Sequence, residues 1–70
     1  MYLIIEIQKS NDGTLAHLES VHATMGESEQ RYHTILAAAA VSNVDVHSAV
    51  MLDDMGNRIK GETYYHGGVE

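Results

Sequence analysis

Apolar and polar residues alternate with a period of two in four segments of this chain and recur with a helical period in one. The first is Tyr2–Gln8, YLIIEIQ, where Leu3, Ile5 and Ile7 share one face and Tyr2, Ile4, Glu6 and Gln8 the other. Its odd face is wholly apolar and is expected to point inward. Asn11-Asp12-Gly13 follows, a turn signal because these residues tolerate the positive φ of tight hairpins. The second segment alternates Leu15, His17, Glu19 and Val21 against Ala16, Leu18, Ser20 and His22, and the two segments read as a hairpin.

Thr24 with Glu27 three residues on, or Ser28 with Arg31 just past it, then compete as the start of a helix. Tyr32, Ile35, Leu36, Ala39 and Ala40 fall at i, i+3, i+4, i+7 and i+8 and predict a helix over about 28–42. In the run Ala37–Ala40, Ala39 and Ala40 continue the apolar stripe with side chains small enough to bring a helix close to a sheet. Ala37 and Ala38 lie off the stripe and predict either a second buried side or a contact surface. Asn43 suits the helix end. A third strand alternates Val44, Val46, Ser48, Val50 and Leu52 against Asp45, His47, Ala49 and Met51. The turn at Asp53–Arg58, DDMGNR, leads to a closing strand, Ile59–His66, in which Gly61 marks a bulge or a weak edge.

The order strand, strand, helix, strand, strand predicts an α+β fold, ββαββ: a four-stranded antiparallel sheet with one helix packed on one face. Residues 1–66 are expected to form a single domain and residues 67–70, Gly-Gly-Val-Glu, a flexible C-terminal tail. One helix covers one face of a sheet, so the other must be polar or find a partner. With the odd residues of the first strand inward, the outer face shows Tyr2, Ile4 and Met51, joined by Tyr64 or Leu18. That is apolar enough to predict a homodimer, either sheet face to sheet face or through Tyr2–Gln8 as an edge strand. Tyr2, Ile4, Met51, Ala37 and Ala38 are the candidate self-association residues.

Composition sharpens this expectation. At 70 residues a lone core rarely supplies more than ~3–5 kcal/mol, and with no cysteine neither a disulfide nor a thiolate zinc site can supplement it. Self-association is the remaining supplement of most weight. Ten acidic against four basic side chains give a net charge of −6, which argues against binding a phosphate backbone and suits docking on a basic surface. No apolar run approaches the roughly 20 residues of a membrane span, so a soluble, cytoplasmic chain without membrane attachment is expected.

Candidate chemistry is sparse. His17, His22, His33, His47 and His66 lack the i, i+2 or i, i+4 spacing of metal ligands, although His47 and His66 could meet across the last hairpin beside Asp45 or Glu62. No serine sits in a nucleophile context, no glycine pattern fits a phosphate, and Asp53-Asp54 reads as turn chemistry. Neither an enzyme nor a bound cofactor or metal is expected. Tyr64, Tyr65 and His66, with the acidic set Glu6, Glu19, Asp45, Asp53, Asp54 and Glu62, could form a recognition surface, against the alternative that the strand tyrosines simply pack; His47, Arg58 and Lys60 are further candidate binding residues.

The block YHTILAAAAVSNVDVHSAVMLDDMGNRIKGE, Tyr32–Glu62, resembles small proteins encoded by phages and prophages of Gram-positive gut bacteria, which open on a MYLIIEIQ-like strand. The resemblance implies a bacteriophage product acting in the bacterial cytoplasm, and it carries no catalytic or binding residues. Three functions fit: a non-catalytic, acidic inhibitor of a bacterial host protein, such as a component of antiviral defence; a self-associating virion or assembly component; and an oligomer that sequesters a small nucleotide. The last needs cations, and Lys9, Arg31, Arg58 and Lys60 are the full supply.

Overall fold

The computed structural model describes residues 1–66. Strands β1 (Tyr2–Lys9) and β2 (Leu15–His22) precede helix α1 (Met25–Ala39), and β3 (Val46–Asp53) and β4 (Arg58–Tyr65) follow it. The four strands form one antiparallel sheet in the order β2-β1-β3-β4, with the helix packed on one face, as the ββαββ reading expects. The expected flexible tail, 67–70, lies outside the described residues.

The two hairpins close by the same device. Gly13 donates to the Ser10 carbonyl and Ser10 to that of Thr14, each at 3.0 Å. Gly56 donates to the Asp53 carbonyl at 3.1 Å, and Asp53 to that of Asn57 at 2.9 Å. In each loop the glycine takes a positive φ, +90° at Gly13 and +88° at Gly56, as a three-residue hairpin loop requires. An aspartate braces each loop: Asp12, within the first, accepts from the Thr14 amide, and Asp53, at the base of the second, from those of Met55 and Asn57.

Of the two competing helix starts, Thr24 is used. Its hydroxyl accepts from the Glu27 amide at 3.2 Å, and the helix begins at Met25, three residues ahead of the expected 28. Ser28, the rival cap, is fully buried and donates its hydroxyl to the Thr24 carbonyl at 2.9 Å. The helix ends at Ala39 with Ala40 as its cap, short of Asn43.

Tyr32, Ile35, Leu36 and Ala39 turn onto the sheet as the periodicity predicts, whereas Ala40 is exposed. The expected face of the sheet is reversed. Ile4, Ala49 and Met51 lie beneath the helix, each at most 1 % exposed, so the even face of β1 is the inner one. Ile4 and Met51 are therefore core residues rather than self-association residues, and Tyr2 lies on their side of the sheet, half-buried. Leu18 and Tyr64 share that side but sit on the outer strands, beyond the cover of the helix, and stay exposed.

The expected pairing edge is corrected as well. Strand β1 is central, hydrogen-bonded to β2 on one side and β3 on the other, so β2 and β4 are the edges. Both strands that pair with β1 run antiparallel to it, which makes β2 and β3 parallel to each other. The helix is the crossover that carries the chain over β1 from one to the other. The face it covers follows from strand order and the hand of that crossover, neither of which is contained in the alternation within a single strand.

Candidate functional site: the acidic and aromatic edge at β4

Strand β4 sorts the candidate binding residues by side. Lys60, Glu62 and Tyr64 pair with Met51, Ala49 and His47 and so share the helix side, whereas Tyr65, paired with Val46, faces the other way. A register shift between Met51 and Leu52 pairs Leu52 with Arg58 and turns Arg58 to the open side too. Asp53 and Asp54 lie at the β3–β4 turn, at the opposite end of the strand from Tyr64. The nine candidates thus divide among two faces and a loop.

On the helix side the edge is built tightly. The Lys60 ammonium reaches both carboxylate oxygens of Glu29 at 2.6 Å and lies 5.0 Å from the centre of the Tyr32 ring. That hydrogen bond is the main cause that holds the Glu29 carboxyl below its usual range, and His33, one helical turn on, reinforces it. Burial pushes the Tyr32 phenol above its ordinary range. Farther along, the Tyr64 and His66 rings stack with centroids 6.0 Å apart and planes within 2°. His66 Nε2 donates to the Ala39 carbonyl at 2.6 Å, and its backbone amide to the Asp45 carbonyl at 2.7 Å. The Ala39 carbonyl also accepts from the Ser42 amide at 3.3 Å, so His66 adds a second donor at the helix C-terminus and fastens the end of β4 to it. Glu62 and Tyr64 stand exposed between these two anchors.

His47 is not part of this surface. Its side chain is 4 % exposed, and its Nε2 lies 2.6 Å from Glu6 Oε2, an oxygen that also receives Gln8 Nε2 at 3.0 Å. Arg31 stands 3.8 Å from the other Glu6 oxygen. The polar ends of β1 and β3 thus close on each other and on the helix beside the apolar core, and His47 and His66 do not meet. Among the described residues no three His, Asp or Glu side chains come together as metal ligands.

Sequence reasoning misses Glu29 and Arg31, and it expects Glu6 on an acidic surface, whereas the structure turns Glu6 inward against His47. The Glu29–His33 pair is legible as an i, i+4 contact. Glu6 and His47 are 41 positions apart and meet only through the β1–β3 register, in which Glu6 pairs with Ala49 and Gln8 with His47. Comparison with protein-family models, curated proteins and solved structures finds no match to this chain.

Proposed function

We propose that the chain is a non-catalytic binding protein, a phage-encoded acidic inhibitor that docks the β4 edge on a basic surface of a bacterial host protein. The distribution of charge carries this reading. Lys60 is held by Glu29 and Arg31 faces Glu6, so these two cations are engaged within the fold, and Arg58 lies on the other side of the sheet. Asp12, Glu27, Asp45, Asp53 and Glu62 have no cation partner among the described residues, and of these Glu62 is the one on β4, where it stands beside the exposed Tyr64. An exposed carboxylate beside an aromatic anchor, between two tied ends, suits a cationic protein surface.

The test is capture from a bacterial host extract on immobilised wild type, Glu62→Lys and Tyr64→Ala. The inhibitor reading expects one host protein retained by wild type, released as salt rises, and retained about tenfold less by either variant. Equal retention by all three contradicts it.

A virion or assembly component is the second reading, favoured by the uncovered apolar face of the sheet, and recovery of a phage structural protein in the same capture selects it. A pooled cation site for a nucleotide has no comparable support, since Lys60 is bound to Glu29 and Arg58 lies on the opposite side of the sheet.

A further inference from the structure

The sheet face away from the helix carries Leu3, Ile5 and Ile7 of β1, Val50 and Leu52 of β3, and an exposed Leu15, Val21, Ile59 and Tyr65 on the two edges. Near its end, Leu3, Val21 and Leu52 border a hollow of about 330 Å³, which Asp53 and Asp54 of the turn also line. This is the apolar character of a covered sheet, not of a solvated one.

One row across this face is ordered by charge. Glu19 pairs with Ile5, Ile5 with Val50, and Val50 with Gly61. Gly61 has no side chain, and Arg58 folds into its place: a Cβ there would meet the guanidinium Nη2 at 2.8 Å, and that group donates to the Gly61 carbonyl at 3.2 Å. The row therefore reads acid, apolar, apolar, base.

We infer that this face is covered by a second copy of the chain, related by a two-fold axis that runs along the strands between Ile5 and Val50. Such an axis lays β2 of one copy over β4 of the other. It sets Ile5 against Val50, Leu15 against Tyr65 and His17 against Thr63, and it places Glu19 opposite Arg58 twice. An axis across the strands would set Glu19 near Glu19 and Arg58 near Arg58, and like charges oppose it.

Charge and area favour a second copy over another occupant. The chain carries −6 in all, yet Glu19 is the one carboxylate among the strand residues of this face, against Lys9 and Arg58. Two copies can meet here without bringing their negative charge together. Four strands at ~4.8 Å spacing and eight residues at ~3.4 Å make a face of about 500 Å² per copy, so roughly 1,000 Å² is covered in all, the lower bound of a specific interface. Sheets packed about 10 Å apart let Glu and Arg side chains bridge the gap. The inference is independent of the host-protein reading, whose acidic edge lies on the helix side.

Light scattering on size-exclusion fractions, with circular dichroism to confirm folding, tests it on wild type, Glu19→Arg, Arg58→Glu and an equimolar mixture of the two variants. Wild type is expected at twice the 7.7 kDa chain mass. Each variant alone is expected to dissociate at concentrations about tenfold or more above wild type. The mixture is expected to return to the dimer. In the mixed pair the introduced arginine of one copy faces the introduced glutamate of the other, and the retained Arg58 faces the retained Glu19. Loss of folding cannot produce that rescue. A wild type that stays at 7.7 kDa across the concentration range overturns the inference and assigns the face to another partner. So does a mixture no heavier than its components.

Discussion

Ala39 shows what a single residue does in so small a core. It is wholly buried at the crossing of helix and sheet, and its carbonyl receives His66, so both its size and its position are constrained. Three added carbons there force strain into a packed site, and Ala39→Leu is expected to cost about 1–3 kcal/mol in denaturant titration. Ala40→Leu, on the exposed next position, is expected to change stability by less than about 0.5 kcal/mol. The Glu6–His47 contact obeys a different rule. Glu6→Leu leaves a buried imidazole without its acceptor and is expected to cost about 1–3 kcal/mol. Adding His47→Leu removes the stranded group as well, so the double variant is expected to be more stable than Glu6→Leu alone. A double variant that unfolds below the single one shows that the contact is not what His47 contributes.

At the scale of elements, the caps and turns are the most legible features because their chemistry is local. Asn11-Asp12-Gly13 and Asp53–Asn57 demand the hairpins that form, and Thr24 with Glu27 marks the helix start. Thr24→Ala is expected to lower stability by about 1 kcal/mol. The aspartates make the turns sensitive to acid. Hydrogen bonds from Thr14 and Ser10 lower the Asp12 carboxyl to about 2, and those from Asn57 and Met55 hold Asp53 below its usual value of 3.8. Both folded values lie below the unfolded ones, so the stabilisation is complete above the unfolded value and is lost as pH falls through 3.8 toward about 2. Glu29 behaves alike, from its usual 4.5 downward. Denaturant midpoints are expected to drop over that window and to drop less in Asp12→Ala. What the pattern within each element does not contain is its neighbours. Tyr2–Ile5 is apolar on both faces, as suits the central strand it belongs to, yet alternation alone leaves that strand free to be an edge. The polar pair at the margin of the core depends on register, which turn chemistry sets only within a hairpin.

For the whole molecule, element order settles the ββαββ class, and the side of the sheet that receives the helix does not follow from it. Either face of β1 offers the helix an apolar surface. Ile4, Ala49 and Met51 are beneath it, with Ala49 small enough for close approach, and the more extensive apolar face is left over. The proposed contact with a second copy, which the alternation assigns to Tyr2, Ile4 and Met51, therefore transfers to Leu3, Ile5, Ile7, Val50 and Leu52. Ala37 and Ala38 stand exposed on the outer side of the helix, away from the proposed interface. Leucine at either position is expected to leave the dimer mass unchanged and to shift stability by less than about 0.5 kcal/mol, and loss of dimer in these variants places self-association on the helix instead. The most direct measurement is an isotope-filtered nuclear Overhauser spectrum of a half-labelled sample. The account predicts intermolecular contacts between the Ile5 and Val50 methyl groups, together with intramolecular contacts from Ile4 and Met51 to Ile35 and Leu36. Intramolecular contacts from Ile5 or Val50 to Ile35 and Leu36 would place the helix on the other face and contradict it.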